Sequence, residues 1–189
     1  MKLACLFLFI FVAAVFALDP AQKAPGFTLL DTNGMEVKLS NYKNQNVVLI
    51  FVSTKCPYSN AFNGVMAKLA NDYSSRGIVF LGINSNYTEP VKQIAQHAKE
   101  NGLSFTILKD PENKIADLYG AQVTPEAFVI DKTGTVRYHG ALGSSGRPTN
   151  DPAEATSNEI RAALDELLSG KEIAKSKTKA FGCTIKRVG

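Results

Sequence analysis

Six apolar residues in a row, Val47-Val48-Leu49-Ile50-Phe51-Val52, run into Ser53-Thr54-Lys55-Cys56-Pro57-Tyr58-Ser59-Asn60. The run is rich in β-branched residues and carries no polar position, so it reads as a strand buried on both faces. A chain built around such a strand needs a sheet covered on both sides. From Pro57 to Ser75 the pattern changes period. Phe62, Val65, Met66, Leu69, Ala70 and Tyr73 recur every three or four residues, which predicts a helix with one inward face. Pro57 presets the first helical turn. Cys56 stands at the junction, where a helix start offers free backbone N–H groups and partial positive charge. That setting, with Lys55 beside it, favours thiolate over thiol.

The rest of the chain extends this unit. Ile78-Val79-Phe80-Leu81-Gly82-Ile83-Asn84 is a second buried strand, so the strands and the helix between them form a parallel βαβ unit. Before it, Phe27–Leu30 and Met35–Leu39 flank Asp31-Thr32-Asn33-Gly34, a strong hairpin signal. Asn41 to Asn46 reads as a polar loop. After the unit, a helix is expected over Glu89–Asn101 with Thr88 as N-cap and Gly102 as its end. A strand follows over Phe105–Leu108, then a helix over Asn113–Tyr119. Val123 to Asp131 and Thr135 to His139 are arms of a hairpin turned by Lys132-Thr133-Gly134. Gly140 to Pro152 is a loop, and Ala155 to Leu168 is the last helix. The tail from Lys171 has no clear period before Ala180-Phe181-Gly182-Cys183-Thr184-Ile185.

Composition matters mainly at the two ends. Lys2 and the apolar stretch Leu3–Phe16 form the n- and h-regions of a signal peptide, with cleavage expected after Ala17. The other reading is an uncleaved anchor, but the run is shorter than the roughly 20 residues a spanning helix needs. Cys5 lies inside the h-region, too early for lipid attachment. The expected organisation is a signal peptide over 1–17, one domain over 18–170, and a tail over 171–189. Export would leave two cysteines, Cys56 and Cys183, in an oxidising compartment. The net charge of +4 is mild, and the lysines of the tail read as a solvated run. No aromatic residues interleave with them as in a nucleic-acid module, so no nucleic-acid partner is expected. Membrane contact is expected only if the signal stays uncleaved.

Strand, Cys-Pro helix, strand, helix, then Thr124-Pro125 before a strand hairpin and a final helix: this order resembles the thioredoxin fold. Ala24-Pro25-Gly26-Phe27 resembles the opening of the redoxin branch, the alkyl hydroperoxide reductase/thiol-specific antioxidant relatives. Gly182-Cys183-Thr184-Ile185-Lys186 resembles a C-terminal signature of a secreted subgroup. The resemblance spans roughly Ala24 to Leu168. It implies an α/β thioredoxin-like fold, with a central mixed sheet flanked by helices, an N-terminal β-hairpin and a C-terminal tail. It also implies a cis Thr124–Pro125 bond against the cysteine, with the Thr124 backbone pairing an extended substrate segment. The chain departs from two relatives' patterns. Ser59 replaces the second cysteine of Cys-x-x-Cys. Ser53 fits the hydroxyl position of the peroxidase pattern, but Leu49 stands where its proline belongs, and Thr-Pro stands in place of its arginine.

Cys56 is the expected nucleophile of a Cys-x-x-Ser site. Thr124, Pro125, Pro57, Tyr58 and Ser59 are the expected substrate contacts, with Ser59 either bonding the sulfur or facing solvent. Cys183 admits three roles: a resolving thiol, a structural disulfide partner of Cys56, or an unpaired thiol. The function expected first is an exported thiol–disulfide oxidoreductase acting on a protein or small-molecule thiol or disulfide, served by an exported reductant. The alternatives are a thiol peroxidase and a non-catalytic binding module. No cofactor is expected, and neither His97 nor His139 suggests a metal site. Asn86-Tyr87-Thr88 is a glycosylation sequon that counts only in a eukaryotic source.

Overall fold

A computed structural model describes residues 18–143 and 158–189. The expected signal peptide, most of the expected glycine-rich loop and the start of the last helix lie outside them. Strands are β1 (Thr28–Asp31), β2 (Glu36–Lys38), β3 (Asn46–Phe51), β4 (Ile78–Asn84), β5 (Thr106–Lys109), β6 (Val123–Thr124), β7 (Glu126–Ile130), β8 (Val136–Gly140) and β9 (Cys183–Thr184). Helices are α1 (Pro57–Ala61), α2 (Asn63–Ser74), α3 (Val91–Glu100), α4 (Lys114–Tyr119) and α5 (Asn158–Leu168).

The seven-stranded sheet has the order β2-β1-β5-β4-β3-β7-β8. Strands β3, β4 and β5 are parallel, and β1, β2, β7 and β8 join antiparallel. The mixed α/β sheet with flanking helices is the fold expected from the sequence. β3 lies between β4 and β7 with all six residues buried, as the apolar run from Val47 to Phe51 requires, and Asn46 is buried with them. Its side chains alternate between two cores. Val48, Ile50 and Val52 join Met66, Leu69, Ile94, Ile160 and Leu164 from α2, α3 and α5. Val47, Leu49 and Phe51 join Ile115 and Tyr119 from α4, Phe128 from β7 and Ile185 from the tail. The βαβ unit therefore fixes Cys56 at the end of a strand that cannot slip without turning both cores inside out.

Three expected details differ. The helix after Cys56 is broken at Phe62, whose N–H turns back to the Ser59 carbonyl and whose carbonyl then starts α2 by accepting from Met66. Thr88 does not cap α3. Pro90, whose ring has no group to make a side-chain bond, holds the cap position, and Glu89 before it turns inward to serve another loop. The lysines of the tail are exposed, but its path is anchored. Ile173 and Ile185 are buried in the two cores, and residues 176–178 bridge to His139 of β8 through backbone bonds. Gly140 allows this approach. A side chain there would collide with Thr178, and its φ of 147° is one that L residues avoid.

Candidate active site

The loop leaving β3 is held from below by one carboxylate. Glu89, 2% exposed, accepts from the Ser53 hydroxyl (2.5 Å), the Thr54 N–H (2.7 Å), the Thr54 hydroxyl (3.0 Å) and the Asn84 side-chain amide (2.6 Å). Burial pushes its carboxyl up, but the bonds from Ser53, Thr54 and Asn84 together hold it below the usual carboxylate range. Ser53 relays this anchor. Its oxygen also accepts from the Cys56 N–H at 3.1 Å and the Lys55 N–H at 3.2 Å. Lys55 itself reaches away from the sulfur, donating to the Thr88 carbonyl at 2.9 Å.

Cys56 is the N-cap of α1. Its Sγ accepts from the Ser59 N–H at 3.4 Å and lies 3.2 Å from the Thr124 carbonyl oxygen. The residue is 3% exposed. Ser59 is fully buried, and its hydroxyl accepts from the Ser53 N–H at 3.1 Å, so only its backbone N–H meets the sulfur. Pro57 is exposed and Tyr58 partly so. Behind α1, His97 of α3 bonds the side chains of Asn60 and Asn63 at 3.0 and 3.3 Å. Burial pushes His97 below the ordinary imidazole value, while the Glu89 and Glu100 carboxylates pull it up.

Thr124–Pro125 is a cis peptide bond, and both residues are buried. The cis proline separates β6 from β7, which the sequence read as one strand. The turn before it is held by Glu126, which accepts from the Gln122 and Val123 N–H groups and pairs with buried His139 at 2.6 Å. His139 stacks on Phe128.

The edge of β6 is occupied by the protein's own tail. β9 pairs antiparallel with it, Thr124 opposite Cys183 and Val123 opposite Thr184. Cys56 and Cys183 lie at disulfide distance, with Cα atoms 5.8 Å apart across a separation of 127 residues. Of the three roles open to Cys183, the unpaired thiol is therefore not what the fold adopts. Gly182 permits the approach, since any side chain there would run into the Thr124 carbonyl. On one side of Cys183, Phe181 packs on Tyr58 and Phe62. On the other, the Lys186 carbonyl accepts from the Tyr87 N–H and the Lys186 N–H donates to the Asn86 side-chain oxygen, while Arg187 reaches Asp117 and the Ala121 carbonyl. Asn86 is 3% exposed, with its side-chain oxygen bonded to the tail, so its amide is no surface acceptor for a glycan.

Glu89 and the Glu126–His139 pair were missed in sequence reasoning. A glutamate read as the first residue of a helix and a histidine at a strand end carry no signal of an inward role. Among the described residues there is no cluster of side chains that could hold a metal, and no helix long and apolar enough to cross a membrane.

A cysteine pair beside a cis proline, at the end of the central strand, defines a thioredoxin-fold thiol–disulfide redox protein. Residues 20–139 match the AhpC/TSA family, and the chain belongs to it. The thiol-disulfide oxidoreductase ResA of Geobacillus thermodenitrificans is 32% identical over 121 residues, 64% of this chain and 68% of that one. The crystal structure of a hypothetical protein from Sinorhizobium meliloti superposes with a TM-score of 0.84 at 30% identity, covering 92% of this chain and 97% of that one. A putative thiol:disulfide interchange protein DsbE from Chlorobium tepidum gives 0.58 at 28% identity over 65% of this chain and 85% of that one. The chain has the thioredoxin fold and is similar to the thiol-disulfide oxidoreductase ResA.

Proposed function

We propose that Cys56 and Cys183 are the redox couple of an exported thiol–disulfide oxidoreductase that cycles between disulfide and dithiol. The observation that carries this is the register of β6 with β9, which sets Cys183 opposite Thr124, whose carbonyl lies against Cys56 Sγ, and so brings the two cysteines to disulfide distance with no second cysteine near Cys56 in sequence. In one turnover two external thiols lose two electrons and two protons to the Cys56–Cys183 disulfide, giving an external disulfide and the protein dithiol. The reverse reaction reduces an external disulfide. Export accords with the apolar stretch after Lys2 and with a disulfide that persists outside reducing compartments. The external partners are a protein or small-molecule thiol or disulfide and an exported reductant. Exposed Pro57 and partly exposed Tyr58 offer the surface beside Cys56, while Thr124 and Pro125 are buried.

The test is turnover. Dithiothreitol-driven reduction of a disulfide substrate is expected, lost in Cys56→Ser and in Cys183→Ser. Peroxide consumption faster than disulfide reduction by the same sample would favour a thiol peroxidase, and neither activity would leave a binding module.

A further inference from the structure

We propose that Cys183, not Cys56, is the sulfur at which external thiols enter, and that Cys56 is the leaving group. This rests on Cys56–Cys183 being the redox couple and assigns the order of events at it. In thiol–disulfide exchange the attacking sulfur approaches along the axis of the bond that breaks. Attack on Cys56 would have to come from behind its Sγ, yet that residue is 3% exposed, with its sulfur held between the Ser59 N–H and the Thr124 carbonyl. Cys183 is partly exposed, on the short strand that lies against α1.

The leaving-group chemistry points the same way. A thiolate attacks Cys183 Sγ, forming a mixed disulfide there. The Cys56–Cys183 bond breaks, and its electron pair departs on Cys56 Sγ, which the Ser59 N–H is placed to stabilise. Cys56 then takes a proton, and the resulting S–H faces the Thr124 carbonyl oxygen as acceptor. A second external thiolate attacks the external sulfur of the mixed disulfide and expels Cys183 as thiolate. Atoms and electrons balance without any further reagent.

The same geometry restricts the substrate. The β6 edge that would accept an extended peptide strand is filled by β9, and the tail is bonded on both sides of Cys183 independently of the disulfide. The couple is thus suited to small thiols and to thiols on flexible exposed segments, which need no strand slot.

The oxidised full-length protein is mixed with reduced glutathione, quenched with acid at short times, and the adduct mapped by mass spectrometry. Glutathione is expected on Cys183 over Cys56 by more than about tenfold, the margin set by access and leaving-group pKa. Adduct mainly on Cys56 overturns the assignment while leaving the redox couple intact. No reduction of the disulfide by glutathione or dithiothreitol overturns the couple itself.

Discussion

Glu89 is the residue on which the geometry of the loop from Ser53 to Cys56 depends. Four donors from Ser53, Thr54 and Asn84 converge on it, and every one needs an acceptor. Glu89→Gln brings two amide hydrogens against those donors, and a loss of about 3 kcal/mol is expected by urea unfolding. The pH dependence has a definite sign. The native carboxyl lies below its unfolded value of about 4.3, so its contribution is full above that pH and is lost as pH falls through the depressed native value. The gap in stability between wild type and Glu89→Gln should therefore be widest near neutrality and close in acid; a gap that widens in acid contradicts the role given to Glu89. None of this was legible in sequence, because Glu89 reads there only as the first residue of a helix and its partners lie on two other segments. Cys56 was legible, since a cysteine between a buried strand and a Pro-led helix has few other places to be.

At the level of elements, the pairing of β6 with β9 places the second sulfur. Two residues per strand make a weak ladder, so its position depends on what flanks it: Phe181 on Tyr58 and Phe62, Ile185 in the core, and Gly182 against the Thr124 carbonyl. Gly182→Ala forces a β-carbon into that carbonyl and shifts the strand. Disulfide formation from the dithiol by oxidised glutathione should then slow by more than about tenfold, because the effective concentration of one thiol at the other falls. An unchanged rate would mean that the strand pair does not position Cys183. The resemblance placed an incoming strand at Thr124; the structure places the tail there. The sequence carried only a hint, since Gly182–Ile185 is too short for a period and its partner lies some sixty residues away, which no local pattern reports.

Over the whole molecule, the sheet was readable because its central strands are continuous apolar runs and its helices keep one inward face. The breaks were not. Phe62 interrupts the helix and Pro125 splits a strand through backbone geometry that apolar spacing does not encode. The lysines of the tail are exposed, as the sequence suggested, but its path was not legible, because Ile173 and Ile185, which fix it, stand alone among them. With that path fixed, residue 183 returns to residue 56 from the far end of the domain, and a dithiol site is completed without a Cys-x-x-Cys. Equilibrating the protein in glutathione redox buffers and mapping its cysteines by non-reducing mass spectrometry tests this most directly. A single Cys56–Cys183 linked peptide should appear and vanish reversibly as the buffer is made oxidising and reducing. Two free thiols in the fully oxidising buffer would contradict it.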